Sequence, residues 1–244
     1  MKRMRSGGNS GSSGTNLNDN MRVRVFSEGV PAFETEAMAG MRSYTSGEND
    51  GKARQLARYT KEIGERYVDQ LQVSLIYRND RFGRGGDHTP FCKEGFTAVR
   101  ITEYNENYDR THSATEVKDG IAYGDMPSGV DFEYVRKNAG VNLSVLANLA
   151  SAPNQPVNVG IKLSGMSNYS TLTWEKPEKG VEPAGYYLLM RETSESMWEK
   201  KIFVKGTEIT VPYSKDNYFF AVQSVDGAGH ESLPVFPPPA RRSR

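Results

Sequence analysis

Ala152-Pro153-Asn154-Gln155-Pro156 separates two parts of the chain that differ in hydrophobic periodicity. Two prolines so close together end a helix, because proline has no amide proton and its ring clashes with the preceding turn. Signals for helices and strands alternate before this segment, whereas only signals for short strands follow it. We therefore predict an α/β domain over residues 21–152, a linker at 153–156 and an all-β domain over 157–239.

The first part has the element order of an α/β fold. The predicted elements are a strand at Met21–Phe26, a helix at about 50–68, strands at Gln72–Tyr77 and Phe96–Glu103, and a helix at Asp131–Ser151. The stretch at about 31–50 is predicted to be loop. Helical spacing of apolar residues predicts the buried face of the last helix, which consists of Phe132, Val135, Ala139, Leu143, Leu146 and Ala150. So few strands cannot form a complete doubly wound sheet, and the domain is predicted to be incomplete.

The second part is typical of an immunoglobulin-like β-sandwich, because short strands recur between turn residues. The predicted strands are Val157–Leu163, Ser170–Trp174, Tyr186–Arg191, Trp198–Val204, Thr207–Val211 and Tyr218–Val225. Leu172-Thr173-Trp174-Glu175-Lys176-Pro177 resembles the B strand of a fibronectin type III domain, in which a buried tryptophan anchors the core. Tyr218–Asp226, followed by Gly229, resembles the F strand and F–G turn of that family. The resemblance implies a spacer or docking module. Core packing is the favoured role of Trp198, and a sugar-binding face is the alternative.

Composition and charge exclude several classes of protein. The chain has 244 residues, and 31 lysines and arginines against 30 aspartates and glutamates give a formal charge of +1. This balance leaves no electrostatic footprint for nucleic acid, so no nucleic-acid partner is expected. No apolar run approaches the roughly 20 residues of a membrane span. A single cysteine, Cys92, excludes an internal disulfide and a cysteine-rich zinc module.

Both ends of the chain are polar. Met1–Arg5 is basic, but the following Ser6–Gly14 is rich in glycine and serine where a signal peptide needs apolar residues. Residues 1–20 are therefore predicted to be flexible coil without a targeting signal. Residues 240–244 are predicted to be a basic tail.

The loop after the Gln72–Tyr77 strand is the main candidate for chemistry. Gly85-Gly86-Asp87-His88-Thr89-Pro90-Phe91 places a carboxylate beside an imidazole, between a glycine-rich turn and an apolar residue. α/β folds place ligands in loops that follow strand ends, and a metal-ligating imidazole needs an acceptor for its other N–H. Asp87-His88 therefore fits a metal ligand with a supporting carboxylate, and a solvated loop histidine remains the alternative.

The same string, continued by Lys93-Glu94-Gly95-Phe96-Thr97-Ala98-Val99, resembles the C-terminal portion of the di-zinc exopeptidases. These are metallopeptidase family twenty-eight, which includes bacterial leucyl aminopeptidase and aminopeptidase Y. The resemblance implies that His88 is the last zinc ligand, with Asp87 supporting it. It implies that His112 and Glu116 lie near the substrate pocket. It also implies two zinc ions, a peptide substrate cleaved at its N-terminal bond, a three-layer peptidase sheet, and a secreted or periplasmic location.

The resemblance covers about residues 9–152 and leaves most of the family's metal site upstream. The bridging carboxylate, the general base and further ligands belong to that part, so no catalytic residue is assigned. Arg5 stands where the resemblance places a ligating aspartate. We therefore expect the C-terminal half of a longer peptidase, from a truncated gene model or a split protein, with the missing N-terminal half as a partner. The strand of Val23 and Val25 would then be a sheet edge with an uncovered apolar face.

A non-catalytic hypothesis stays open beside the enzymatic one. In it, the chain is a binding or scaffold protein with a degenerate peptidase-like domain and a fibronectin-like docking module. One imidazole alone cannot hold zinc at its usual four-coordinate geometry. The isolated chain is therefore expected to be inactive under either hypothesis.

Overall fold

The computed structural model describes residues 18–163 and 167–238. Most of the predicted N-terminal coil, at residues 1–17, and the predicted basic tail at 240–244 lie outside the described residues. The site of Arg5 lies outside them as well.

The chain divides into two compact units. The first contains the described residues up to Glu34 together with Lys52–Val145. The second contains Thr35–Gly51 together with the described residues from Leu146 onward. Two short segments that the sequence analysis gave to the α/β part, residues 35–51 and 146–152, therefore belong to the second unit.

The first unit is built on a three-stranded sheet. In chain order, the elements of the part up to the linker are β1 (Arg22–Phe26), α1 (Glu36–Thr45), α2 (Lys52–Tyr67), β2 (Gln72–Ile76), α3 (His88–Lys93), β3 (Arg100–Glu103), β4 (Val117–Lys118), β5 (Ile121–Ala122) and α4 (Phe132–Ser151). The strand order is β2-β1-β3. β1 runs parallel to β2, with Arg22 opposite Gln72, and antiparallel to β3, with Val23 opposite Glu103.

β1 is the central strand of this sheet, so the expectation of an uncovered edge strand is wrong. Val23 and Val25 are fully buried. Their core also contains Ala57, Val68, Leu71, Val73, Tyr134 and Val141, contributed in part by α2, β2 and α4. The expectation failed because both neighbours of β1 are strands that follow it in this chain, and the two helices cover its apolar face.

The free side of β2 is closed by side chains of α2. The carboxylate of Glu65 accepts a hydrogen bond from the Val73 amide at 2.7 Å, and the ammonium of Lys61 donates to the Val73 carbonyl at 2.9 Å. Lys61 and Glu65 also form an ion pair with each other at 2.6 Å. The backbone groups that Val73 does not use for pairing with β1 are thus satisfied within the unit.

Two buried polar side chains fix α4 to the sheet. The Tyr134 hydroxyl donates to the Arg22 carbonyl of β1 and accepts from the Tyr104 amide at 2.8 Å. The Lys137 ammonium donates to the carbonyls of Asn20 at 3.2 Å and Gln70 at 3.0 Å. Burial raises the pKa of Tyr134 well above its ordinary value, so its hydroxyl keeps its proton at neutral pH.

The face of α4 that packs on the core agrees with the predicted one only in part, since Val135 packs against the core cluster but other members of the predicted face do not. Phe132, Leu143 and Leu146 of the predicted face are 71%, 69% and 66% exposed. The buried face instead consists of Tyr134, Lys137, Asn138, Val141, Val145 and Asn148. Hydrophobic periodicity missed it because polar groups that reach backbone carbonyls count as surface residues in such a pattern. Among the described residues, no helix is long and apolar enough to cross a membrane.

The second unit contains a sandwich of two three-stranded sheets. Its strands are β6 (Val157–Ile161), β7 (Ser170–Glu175), β8 (Gly185–Glu192), β9 (Lys200–Val204), β10 (Glu208–Val211) and β11 (Tyr218–Val225). The sheets have the strand orders β10-β7-β6 and β11-β8-β9, all antiparallel. Trp174 is 3% exposed and meets Tyr186 edge to face at 5.4 Å. The predicted strands and the buried tryptophan are confirmed.

Replacing Tyr134 with phenylalanine is expected to lower the free energy of unfolding of the first unit by about 2 kcal/mol, because it leaves two buried backbone groups without a partner. Far-ultraviolet circular dichroism in urea follows α2 and α4, whereas fluorescence follows the two tryptophans, both of which lie in the second unit. Only the first transition should move. Tyr67→Phe, at an exposed tyrosine near the end of α2, is the matched control. An unshifted helical transition in Tyr134→Phe would contradict this role.

Candidate functional site

His88 opens a short helix, although the sequence analysis placed it in a loop. The amide of Gly86 donates to the Thr89 hydroxyl at 3.2 Å, and the amide of Thr89 donates to the Gly86 carbonyl at 2.9 Å. These two bonds close the turn that leads into α3. Pro90 is tolerated there because the first helical turn does not use its amide. The turn brings the His88 ring inward from the end of the glycine-rich loop.

The imidazole of His88 is buried and has one free lone pair. The residue is 6% exposed, and Nε2 lies 2.9 Å from the carbonyl oxygen of Asn79. A carbonyl only accepts, so Nε2 carries the proton of this bond, and in the neutral tautomer of the ring the lone pair is then on Nδ1. Nδ1 is buried and has no hydrogen-bond partner. A fixed N–H on one side and an unused lone pair on the other is the arrangement of a metal-ligating histidine.

The other predicted site residues do not join His88 in a cluster. Asp87 is exposed, and the acceptor on the His88 ring is the Asn79 carbonyl rather than the Asp87 carboxylate. His112 and Glu116 are exposed residues of the loop before β4. His112 has a left-handed backbone with φ of 54°, and the Glu116 carbonyl accepts from the Tyr123 amide at 2.8 Å. Within the described ranges, no three His, Cys, Asp or Glu side chains converge on a point that could hold a metal ion.

A buried network of charges beside His88 was missed by the sequence analysis. Asp80 pairs with Arg100, and Glu106 pairs with both Arg81 and Arg24, the latter at 3.0 Å. These five side chains are between 1% and 18% exposed. They come from β1, β3 and the loops that follow β2 and β3, so the segments are tied together at one end of the sheet. The sequence signal for it was limited to the presence of Arg24 and Arg100 within predicted strands.

Gly86 packs between this network and the imidazole. A Cβ atom on Gly86 would lie 3.0 Å from His88 Nδ1 and 3.1 Å from Arg100 Cδ. Any larger residue would therefore push the ring away from the ion pair. Asp80 Oδ2 is a second buried acceptor atom without a hydrogen-bond partner in this region.

Cys92 is not a nucleophile in this setting. Its thiol is buried near the Ala98 carbonyl, at 3.9 Å. Burial raises the pKa of the thiol, and the nearby Glu28 carboxylate raises it further. The reactive thiolate is therefore depleted at neutral pH, and Cys92 acts as a small apolar core residue.

His230 has a structural partner in its own turn. Its Nδ1 lies 2.7 Å from Asp226 Oδ2, and Asp226 also accepts from the amides of Ala228 and His230. Burial raises the pKa of Asp226, but the bonds from His230 and Ala228 outweigh it and lower the pKa below its ordinary value. This histidine closes the turn after β11 and is part-buried.

Zinc fits these residues only in part. The free Nδ1 lone pair of His88 suits one coordination position. Structural zinc sites use four protein ligands and catalytic sites use three. Because the described residues do not gather a set of that size, they can contribute one ligand but cannot form the whole site.

Comparison with known proteins gives relatives that are named probable zinc metalloproteases. The chain is 40% identical to a probable zinc metalloprotease of Leptosphaeria maculans over 222 residues, which is 91% of this chain and 51% of the relative. It is 38% identical to one of Pyrenophora tritici-repentis (91% and 52% covered) and 40% identical to one of Pyricularia oryzae (89% and 44% covered). The chain spans about half the length of the curated relatives it matches. No protein-family model matches the chain.

Similar solved structures are fibronectin type III-like domains that cover about a third of the chain. A fibronectin-like protein from Clostridium thermocellum is 20% identical, covers 38% of this chain and all of its own, and has a TM-score of 0.29. The fibronectin domain of human collagen alpha-1(XX) is 22% identical, with 38% and 93% covered and a TM-score of 0.29. The sandwich assignment rests on the strand pairing described above.

Replacing Asp80 with asparagine is expected to destabilise the first unit by about 3–5 kcal/mol, because it leaves Arg100 buried without its counter-charge. Urea unfolding followed by circular dichroism measures the effect. Glu133→Gln, which breaks the exposed Glu133–Arg136 pair of α4, is the matched control and should leave stability unchanged. Equal effects of the two substitutions would show that the buried network does not hold the site.

Proposed function

We propose that this chain is part of a zinc-dependent metallopeptidase of the aminopeptidase type. Two lines of support come together. The curated relatives carry the name probable zinc metalloprotease, and His88 has the burial and the free lone pair that a zinc ligand requires. The sequence resemblance to the di-zinc exopeptidases supplies the finer assignment, namely a three-layer fold, two zinc ions and cleavage of the N-terminal peptide bond.

The environment of His88 carries this proposal. The Asn79 carbonyl holds the Nε2 proton and so fixes which nitrogen presents a lone pair. Gly86 packs closely between the ring and the side chain of Arg100. When bound, zinc polarises the scissile carbonyl and lowers the pKa of a water molecule. In this proposal Asp87, His112 and Glu116 line the approach to the site, where their exposed side chains meet the peptide substrate.

The proposed partners and location follow from the same resemblance. The substrate is a peptide, and the near-neutral charge of the chain gives no reason to expect nucleic acid. Export from the cell, to the medium or the periplasm, is proposed from the family alone. The remaining ligands and the general base come from polypeptide that corresponds to the other half of the relatives.

The exposed face of α4 is the proposed seat of that other half. Phe132, Ala139 and Leu143 lie along one side of the helix, and Leu146 continues the row one turn later. Three of these four are large apolar residues that are about two-thirds exposed or more. An apolar stripe of this kind indicates an unmet packing partner. The relatives contain about as much sequence again as this chain matches, which is enough polypeptide to cover the stripe.

The zinc proposal is tested by joining this chain to the part of the Leptosphaeria maculans relative that lies outside the match. The joined protein is expected to bind zinc stoichiometrically and to release an aminoacyl reporter, whereas this chain alone retains no zinc after dialysis. His88→Gln in the joined protein should lose at least one equivalent of zinc, measured by elemental analysis. His112→Gln, at an exposed histidine, is the matched control and should keep it.

Three outcomes distinguish the hypotheses. Full zinc content and activity in the His88→Gln protein would overturn the role of His88. A folded joined protein without zinc and without reporter release would instead support the non-catalytic scaffold hypothesis. Circular dichroism of each variant separates loss of the metal from loss of the fold.

The α4 stripe makes a separate prediction. Leu143→Gln is expected to leave the melting temperature of this chain unchanged, because the leucine is 69% exposed. In the joined protein the same substitution should lower the melting temperature. Tyr169→Gln, at an exposed aromatic residue of the second unit, is the control. An unchanged melting temperature of the joined protein would contradict the stripe as a seat.

A further inference from the structure

The chain enters the second unit twice. Thr35–Gly51 belongs to the second unit although it lies in sequence between β1 and α2, both elements of the first. The chain returns to the second unit at Leu146. The sandwich is therefore not simply an appendage behind a linker, because a segment from the middle of the preceding sequence is part of its unit.

This segment has little stability of its own. It consists mainly of α1, a ten-residue helix in which no residue is buried. Its ends are capped, since the Thr35 hydroxyl accepts from the Met38 amide at 3.2 Å and Ser46 adopts a left-handed conformation. Isolated helices shorter than about 12–15 residues are marginal in water even with good caps. Its order must therefore come from an anchor outside the helix.

The anchor is an ion pair between Asp50 and Arg191 of β8. Asp50 Oδ1 lies 2.6 Å from Arg191 Nη2, and their side chains are 9% and 2% exposed. The Arg191 guanidinium also donates to the Glu195 carbonyl and stacks over the ring of Phe219, at 4.4 Å. A buried arginine in this position needs a carboxylate, because an unpaired buried charge is strongly unfavourable.

Trp198 completes the socket around Arg191. The guanidinium lies 5.7 Å from the Trp198 ring, and the ring packs against Phe236 at 5.4 Å. The aromatic rings shield the ion pair from water, which strengthens the attraction between the charges. Trp198 therefore packs against the Arg191 guanidinium and Phe236. These contacts do not support the alternative of a sugar-binding face.

We propose that the Arg191 socket, defined by Arg191, Trp198 and Phe219, is a docking site for a carboxylate-bearing helical segment of this same chain, residues 35–51. The sandwich then acts as an internal clamp. It orders the polypeptide that leaves β1 and returns at α2, and the buried Asp50–Arg191 pair is the contact on which this proposal rests. This role is independent of zinc and of peptidase activity.

Hydrogen exchange of the full chain, measured by mass spectrometry, tests the proposal. Asp50→Asn keeps the size of the side chain but removes its charge. Amides of residues 36–51 are expected to exchange at least about tenfold faster in this variant, while those of β8 and β11 stay protected. Glu182→Gln, which breaks the exposed Lys176–Glu182 pair of the same unit, is the matched control and should change neither region.

Arg191→Met removes the same ion pair by changing its partner on β8. It should speed exchange in residues 36–51 as much as Asp50→Asn does, and the double variant should add nothing further. Where Arg191→Met unfolds the sandwich, Asp50→Asn decides alone. Unchanged exchange in 36–51 of Asp50→Asn would overturn the proposal. Equal loss of protection in β8 and β11 would overturn it as well, because the pair would then belong to the sandwich core.

Discussion

The ion pair between Arg100 and Asp80 is the contact on which the first unit's candidate site depends. Arg100 lies on β3, and burial of its guanidinium is tolerable only with a carboxylate against it. Asp80 comes from the loop after β2, so the pair fixes where this loop runs. The loop carries the Asn79 carbonyl, and that carbonyl sets the orientation of His88. The buried charge of Arg100 thus constrains the orientation of the His88 imidazole, because Asp80 and Asn79 are adjacent residues of one loop.

Most of the secondary structure could be predicted from local patterns, and the failures have identifiable causes. The six predicted sandwich strands are all present because alternation and turn residues are local signals. α1 escaped prediction because it has no buried face and hence no apolar period. α3 is six residues long and contains Pro90, which argues against a helix in any sequence window. The predicted strand Phe96–Glu103 forms only from Arg100 onward.

Only the part of the candidate site that depends on residues adjacent in sequence could be predicted. The Asp87-His88 string and the family resemblance pointed to His88, and the structure places it buried with a free Nδ1. Its orienting partner could not be read from the sequence, because a backbone carbonyl carries no residue signature. The charge network joins residues from 20 to 82 positions apart, such as Arg24 and Glu106, and pairing over that range depends on strand order. The same limit applies to the Arg191 socket, whose carboxylate lies 141 residues away.

The closure of β2 by Lys61 and Glu65 bears on how this sheet behaves toward other molecules. A second polypeptide that paired with β2 at Val73 would first have to displace two bonds made by the neighbouring helix. Those helix side chains are tethered to the strand, so their effective concentration far exceeds that of any dilute competitor. The sheet edge at Val73 is thereby protected by mass action. This protection of Val73 therefore depends on α2 staying packed beside β2.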